Sequence, residues 1–286
     1  MKKSSIVMLL PFMLGACIPD GRQQGQVETS DSVKADSILY SCQDTIPALI
    51  RGTEMEGDPT SRVSILLELP AMPKQASDTL CSQLAAILSG DGSMPLHQAV
   101  QQMGDSIRQE YCQELTNLYS DTSFTMSFAY EYTYDNKLRL AEGTLQGVIG
   151  YEGALTTFQG GAHGGYSLML MNFRSSDGHL IKASDVLNTT KEDQLLELIR
   201  NQMCKDFDCK SVEELQDKHG LLMLGDVYLS DFNFLLLQDG VRFHYDPYDI
   251  GPWAAGEVNV TIPYSSLGNL FKGLNQPTEE EKGEKE

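Results

Sequence analysis

Residues 232–245 read Phe-Asn-Phe-Leu-Leu-Leu-Gln-Asp-Gly-Val-Arg-Phe-His-Tyr. Phe232, Phe234 and Leu236 alternate before Asp239-Gly240, and Val241, Phe243 and Tyr245 alternate after it. Apolar residues at every second position mark a half-buried strand, and Asp-Gly between two such runs marks a tight antiparallel hairpin. This is the clearest hairpin in the chain, and it sets the expectation of antiparallel sheet.

The period switches repeatedly outward from this hairpin. Val258, Val260 and Ile262 predict one more strand, followed by a helical turn over 265–271. Upstream, Ser211 and Glu214 predict a capped short helix ending at Gly220, and Thr190 with Asp193 predicts a capping box for a helix through Leu195, Ile199 and Met203. Strands are predicted near 145–155 and 166–173, with Ser175-Ser176-Asp177-Gly178 as a turn. Phe124, Met126, Phe128, Tyr130, Tyr132 and Tyr134 alternate strictly, Asp135-Asn136 reads as a turn, and Leu138-Arg139-Leu140 as the return strand. Pro95 opens a long predicted helix through Leu118, a shorter one covers Leu80–Leu88 and stops at Gly90, and Val63–Leu69 is a strand halted by Pro70. Strands joined by tight turns, with helices in blocks rather than after every strand, predict an α+β fold of antiparallel sheets in two packed subdomains. The boundary is placed near residue 155, giving units over 38–154 and 155–272.

The chain has 286 residues and a globular composition, 41% hydrophobic. Its 21 Lys+Arg against 40 Asp+Glu leave a net charge of −19, which argues against nucleic acid as a partner because phosphate binding needs a basic surface. Lys2 and Lys3 precede an apolar run from Ile6 to Leu14, followed by Leu14-Gly15-Ala16-Cys17. This pattern is an export signal over 1–16 and is similar to the bacterial lipoprotein box, with Cys17 as the lipidated first residue of the mature chain. The run is about half the roughly 20 residues a spanning helix needs. The expected protein is therefore held at a membrane by its lipid, in the periplasm or at the cell surface. Residues 17–37 read as a flexible spacer, and 273–286 as a solvated charged tail.

Cys42, Cys81, Cys112, Cys204 and Cys209 remain after Cys17. Export permits disulfides, and Cys204–Cys209 and Cys81–Cys112 are the candidate pairs, leaving Cys42 over. No C-x-x-C, H-x-x-H or H-E-x-x-H pattern and no G-x-S-x-G elbow is present, so the sequence supports no metal site, no cofactor and no serine acyl hydrolase. Two stretches stand out. In Gly160-Gly161-Ala162-His163-Gly164-Gly165 the histidine is either a binding or catalytic group or part of a tight inter-strand turn. Residues 245–256, Tyr-Asp-Pro-Tyr-Asp-Ile-Gly-Pro-Trp-Ala-Ala-Gly, combine rigid prolines with Tyr245, Tyr248 and Trp253. These aromatics suit contact with a partner protein or a sugar face, or else plug the core. Gly161, His163, Gly164, Tyr245, Pro247, Tyr248 and Trp253 are the candidate binding residues.

These stretches, in this order, resemble a known domain family. Gly-Gly-Ala-His, Asn172-Phe173, Gly178 and Leu180 resemble the opening of the RsiV-like domain. Residues 232–256 and Thr261-Ile-Pro-Tyr264 resemble its close. Residues 38–154 are similar, more weakly, to the PdaC-like domain that precedes it in anti-sigma factors and peptidoglycan deacetylases. The resemblance implies a recognition domain outside the cytoplasm, with lysozyme or peptidoglycan as the kind of partner, and no catalytic domain. The expected function is a non-enzymatic, lipid-anchored binding module for an envelope protein or cell-wall partner; the alternative is a cell-wall glycan or peptide hydrolase using His163.

Overall fold

The structure, a computed structural model, describes residues 26–32, 35–46, 58–120 and 131–274. Cys17, the expected signal segment, the 124–130 part of the expected alternating strand and the expected tail beyond residue 274 lie outside the described residues.

The sequence builds an α+β fold around two sheets. The larger has six strands in the order β1 (Gln26–Ser32), β2 (Ala35–Thr45), β3 (Thr60–Leu69), β4 (Glu131–Leu140), β5 (Val148–Phe158) and β6 (Gly165–Arg174). All its pairings are antiparallel except β3–β4, which is parallel. A parallel neighbour requires a crossover, and α1 (Lys74–Ser89) and α2 (Leu96–Ser120) lie in it. Two expectations change here. Gln26–Ser32, placed in a flexible spacer, pairs with β2 along its whole length. Asp135-Asn136, expected to turn, runs straight through the middle of β4, because neighbours on both sides (Ser64 and Ile65 of β3, Thr156 and Leu155 of β5) hold it extended.

Helices α1 and α2 cover one face of this sheet. Leu80, Leu84 and Leu88 pack with Ile65, Leu67, Leu138, Tyr151 and Phe173. Gly90 ends α1 in the left-handed conformation at φ 80°, as its sequence position predicts. Where α2 crosses β2, Gly104 leaves room for the fully buried Tyr40 ring; a Cβ there would lie 2.5 Å from it. A polar seam runs beside this contact. The Tyr40 hydroxyl donates to Asp105 Oδ1 at 2.9 Å, and Arg108 meets Asp44 through two bonds of 2.6 Å.

The smaller sheet, β7 (Phe234–Leu236), β8 (Gly240–Tyr245) and β9 (Val258–Pro263), is antiparallel throughout. Its hairpin has the register predicted from alternation, with Phe234 opposite Phe243 and Leu236 opposite Val241. Short α3 (Ala183–Val186), α4 (Glu192–Asp206), α5 (Val212–His219) and α6 (Tyr264–Leu267) complete this part. Leu195, Ile199, Met203 and Leu215 pack with Phe234, Phe243, Val258 and Val260 in a second core. The Ser211 hydroxyl accepts from the Glu214 N–H, as expected. The box expected at Thr190 is not formed; its hydroxyl donates to Asn188 Oδ1, and α4 begins at Glu192 behind a 3-10 turn.

The two sheets meet at β5 and β6. Tyr151 and Met171 face the helices, while Gly150 and Asn172, one residue away, face β7. Fully buried Asn172 donates through Nδ2 to the Phe234 carbonyl at 2.9 Å and accepts the Leu236 N–H at 2.9 Å. The larger sheet continues through residue 155, which lies inside β5.

Neither expected disulfide is formed; Cys42, Cys81, Cys112, Cys204 and Cys209 are free thiols. Cys112 turns to the Ser61 hydroxyl, whereas Cys81 lies by Ser77 and Tyr151. Cys209 offers its thiol to the Phe207 carbonyl at 3.4 Å. Among the described residues no helix is long and apolar enough to cross a membrane.

Candidate functional site

The β8–β9 connection is a rigid loop by sequence. Pro247 holds φ near its ring-imposed value, Asp249 N–H donates to the Asp246 carbonyl at 3.0 Å, and Tyr248 N–H to the Gly251 carbonyl at 3.0 Å. Tyr248 takes φ +75°, a left-handed conformation that a bulky residue adopts only where its surroundings impose it. The result is an aromatic side chain pushed outward, 55% exposed. The core-plug reading therefore fails for Tyr248. Trp253 follows in a 3-10 turn, half-buried.

Asp246 anchors this loop to the free edge of β6. Its Oδ2 accepts the Ser167 hydroxyl at 2.8 Å, and its Oδ1 accepts the Leu168 N–H at 2.8 Å. An exposed strand edge presents unpaired backbone donors, and here a carboxylate covers one. Asp246 N–H in turn donates to Asp249 Oδ2, which also accepts the Tyr228 hydroxyl at 2.7 Å.

Buried His244 stands behind Asp246. Its Nε2 lies 2.9 Å from Asp246 Oδ1 and its Nδ1 3.0 Å from Asn259 Oδ1. The Asn259 amide nitrogen points to Glu257, which leaves its carbonyl for the imidazole. With an acceptor at each nitrogen, only the doubly protonated ring donates both bonds. Burial works against that charge, but the bonds to Asp246 and Asn259 outweigh it and raise the His244 pKa above its ordinary value.

The Gly-rich stretch joins β5 to β6 beside this loop. Gly160 and Gly161 have φ of +85° and +93°, while Gly164 and Gly165 press so closely on Thr157 that a Cβ at either would collide with it. His163 is exposed at the tip. Its ring stacks on Trp253, with centroids 4.3 Å apart and planes at 9°. The Tyr248 ring stands 5.9 Å from Trp253 and 6.4 Å from His163, and its hydroxyl lies 3.4 Å from His163 Nε2. Two stretches 85 residues apart in the chain thus form one aromatic cluster.

Of the candidate residues, His163, Tyr248 and Trp253 come together, with Gly161 and Gly164 shaping the loop and Pro247 its partner. Tyr245 does not join them. It is fully buried, its hydroxyl donating to the Tyr228 carbonyl at 3.1 Å, because the strand alternation that predicts β8 also turns it inward. Asp246 and His244 carry no local motif that marks them in the sequence; their roles arise from the β6 edge, distant in the chain, and from Asn259 on the neighbouring strand. Among the described residues, no group of three or more His, Cys, Asp or Glu is arranged to hold a metal ion.

Residues 184–265 match the model of a family described as a protein of unknown function, DUF3298. The DUF3298 segment runs from α3 into α6 and contains the Tyr248–Trp253 half of the cluster, while His163 lies before it. A DUF3298 family member from Bacteroides fragilis is similar in structure, with a TM-score of 0.67 and 21% identity over 88% of this chain and 96% of its own. A DUF3298 family protein from Pseudomonas aeruginosa gives 0.54 and 14%, over 83% and 94%. At these identities the likeness is one of fold. No curated protein matches the chain.

Proposed function

We propose that this chain is a lipid-anchored envelope protein that binds a protein or cell-wall partner, lysozyme-like or peptidoglycan, through its aromatic cluster and performs no chemistry on it. The supporting observation is Tyr248: a strained backbone holds a large ring exposed beside the stacked His163–Trp253 pair. Strain that persists in a loop anchored as firmly as this one is a mark of function. The RsiV-like reading of 155–272 and the PdaC-like reading of 38–154 belong to the same proposal, since both describe recognition outside the cytoplasm. The hydrolase alternative draws less support. A hydrolytic base works beside a nucleophile or a carboxylate partner, and the described contacts of the His163 ring are the Gly164 carbonyl, the Tyr248 hydroxyl and the Trp253 ring.

Recovery of lysozyme and of peptidoglycan fragments by the intact protein tests the proposal against the Tyr248→Ala/Trp253→Ala double variant. The proposal expects recovery to fall at least tenfold, the order of magnitude lost with a central aromatic anchor. Equal recovery from both proteins would remove the cluster from the binding site.

A further inference from the structure

Trp253 is the single tryptophan of the chain, and a ring from another segment lies flat on it. That ring is lightly held. Residues 161–163 are exposed, His163 Nδ1 meets the carbonyl of its own neighbour Gly164 at 2.9 Å, and the Tyr248 hydroxyl at 3.4 Å is long for a hydrogen bond. The segment behind the imidazole begins with two glycines at positive φ, whose backbone swings with little steric resistance. Its far end is fixed, because Gly164 and Gly165 are wedged against Thr157. The imidazole can therefore leave the indole by a movement of the loop tip while β5 and β6 stay in place.

We infer that His163 is a displaceable cover, and that the indole face beneath it takes one pyranose ring of a glycan. This rests on the binding role proposed above and names its ligand class. The flat C–H face of a pyranose is about as wide as an imidazole and stacks on an aromatic ring in the same way. Its hydroxyls then need polar partners at the rim. The Tyr248 hydroxyl, 3.4 Å from the imidazole nitrogen that would leave, offers one. An aromatic face of this width with a polar rim fits a sugar better than an apolar peptide side chain, which gains most from a recess with apolar walls.

The lone tryptophan makes the test direct. The intact protein is titrated with tetra-N-acetylchitotetraose and with cellotetraose, following Trp253 emission for proteins that retain it and heat for all variants. At least one sugar should give a saturable change. His163→Ala should bind it about threefold to tenfold tighter, as expected when a competing stack is removed. The same variant without sugar should already show altered emission. Trp253→Leu, with a melting temperature close to the wild type, should bind neither sugar. If His163→Ala weakens binding as Trp253→Leu does, His163 is a contact and the cover is refuted. If no sugar binds the wild type or His163→Ala while lysozyme recovery still depends on Trp253, the glycan assignment falls and the binding role stands. Recovery independent of Trp253 as well would remove both.

Discussion

Asn172 is a polar side chain with no solvent exposure, and both ends of its amide are used on β7. Replacing it with alanine strands the Phe234 carbonyl and the Leu236 N–H, buried groups that cost about 1–3 kcal/mol each when unpaired. Asn172→Ala should therefore unfold at lower urea by an amount corresponding to about 2 kcal/mol or more, without a change in the slope of the transition. Nothing adjacent in the chain announces this role; in Leu170-Met-Asn172-Phe the asparagine reads as the outward residue of an ordinary alternating strand. Asn136 misleads in the opposite sense. Beside Asp135 it has turn chemistry, yet it is buried in a central strand with its amide nitrogen 3.3 Å from the Tyr134 hydroxyl. Local preference loses to partners on both sides, and those partners come from elsewhere in the chain. Asp239-Gly240 is legible because its whole hairpin lies within one window.

The β8–β9 loop depends on His244 for its anchor. A raised folded pKa means that the ring holds its proton more tightly in the native state, so its contribution to stability is full below the unfolded value, about 6.5. That contribution is lost as pH rises through the folded value. The melting-temperature gap between the wild type and His244→Gln should be widest at acidic pH and shrink through neutral and mildly alkaline pH. A gap that widens with pH would contradict this assignment. In α2 the crossing over β2 has no spare room. Gly104→Ala forces the Tyr40 ring or the helix to shift and should destabilise by about 1–3 kcal/mol in chemical denaturation, even though alanine is the better helix former. Helix α2 itself is readable from its apolar spacing and Pro95. Its closest approach is not, since a glycine within a helical pattern does not say which ring it faces. The aromatic site was half legible in the same way: both loops stand out by composition, but only the β5–β6 and β8–β9 connections bring them together.

Taken whole, the molecule is strongly acidic, with 21 basic and 40 acidic side chains. A basic partner should be drawn in by this field, and the association rate should fall as salt rises from about 20 mM to about 300 mM while dissociation changes less. Stopped-flow measurements with lysozyme read this directly. The proposed lipid anchor predicts that Cys17→Ser moves the protein from the membrane to the soluble fraction and abolishes labelling by fatty acid. At this scale the α+β class and most strands follow from period and turn chemistry. The parallel β3–β4 pair does not, because alternation identifies a strand without identifying its neighbour.

That pair also orders events in time. Between Leu69, where β3 ends, and Glu131, where β4 begins, both helices of the crossover must be made. A growing chain therefore displays an unsatisfied flank on β3 until residues past 131 arrive, and closing so distant a contact is slow. Until then β3 can recruit a stranger's backbone in place of its own, and aggregation in this interval should be suppressed best by agents that mask that flank rather than by those that stabilise the finished protein.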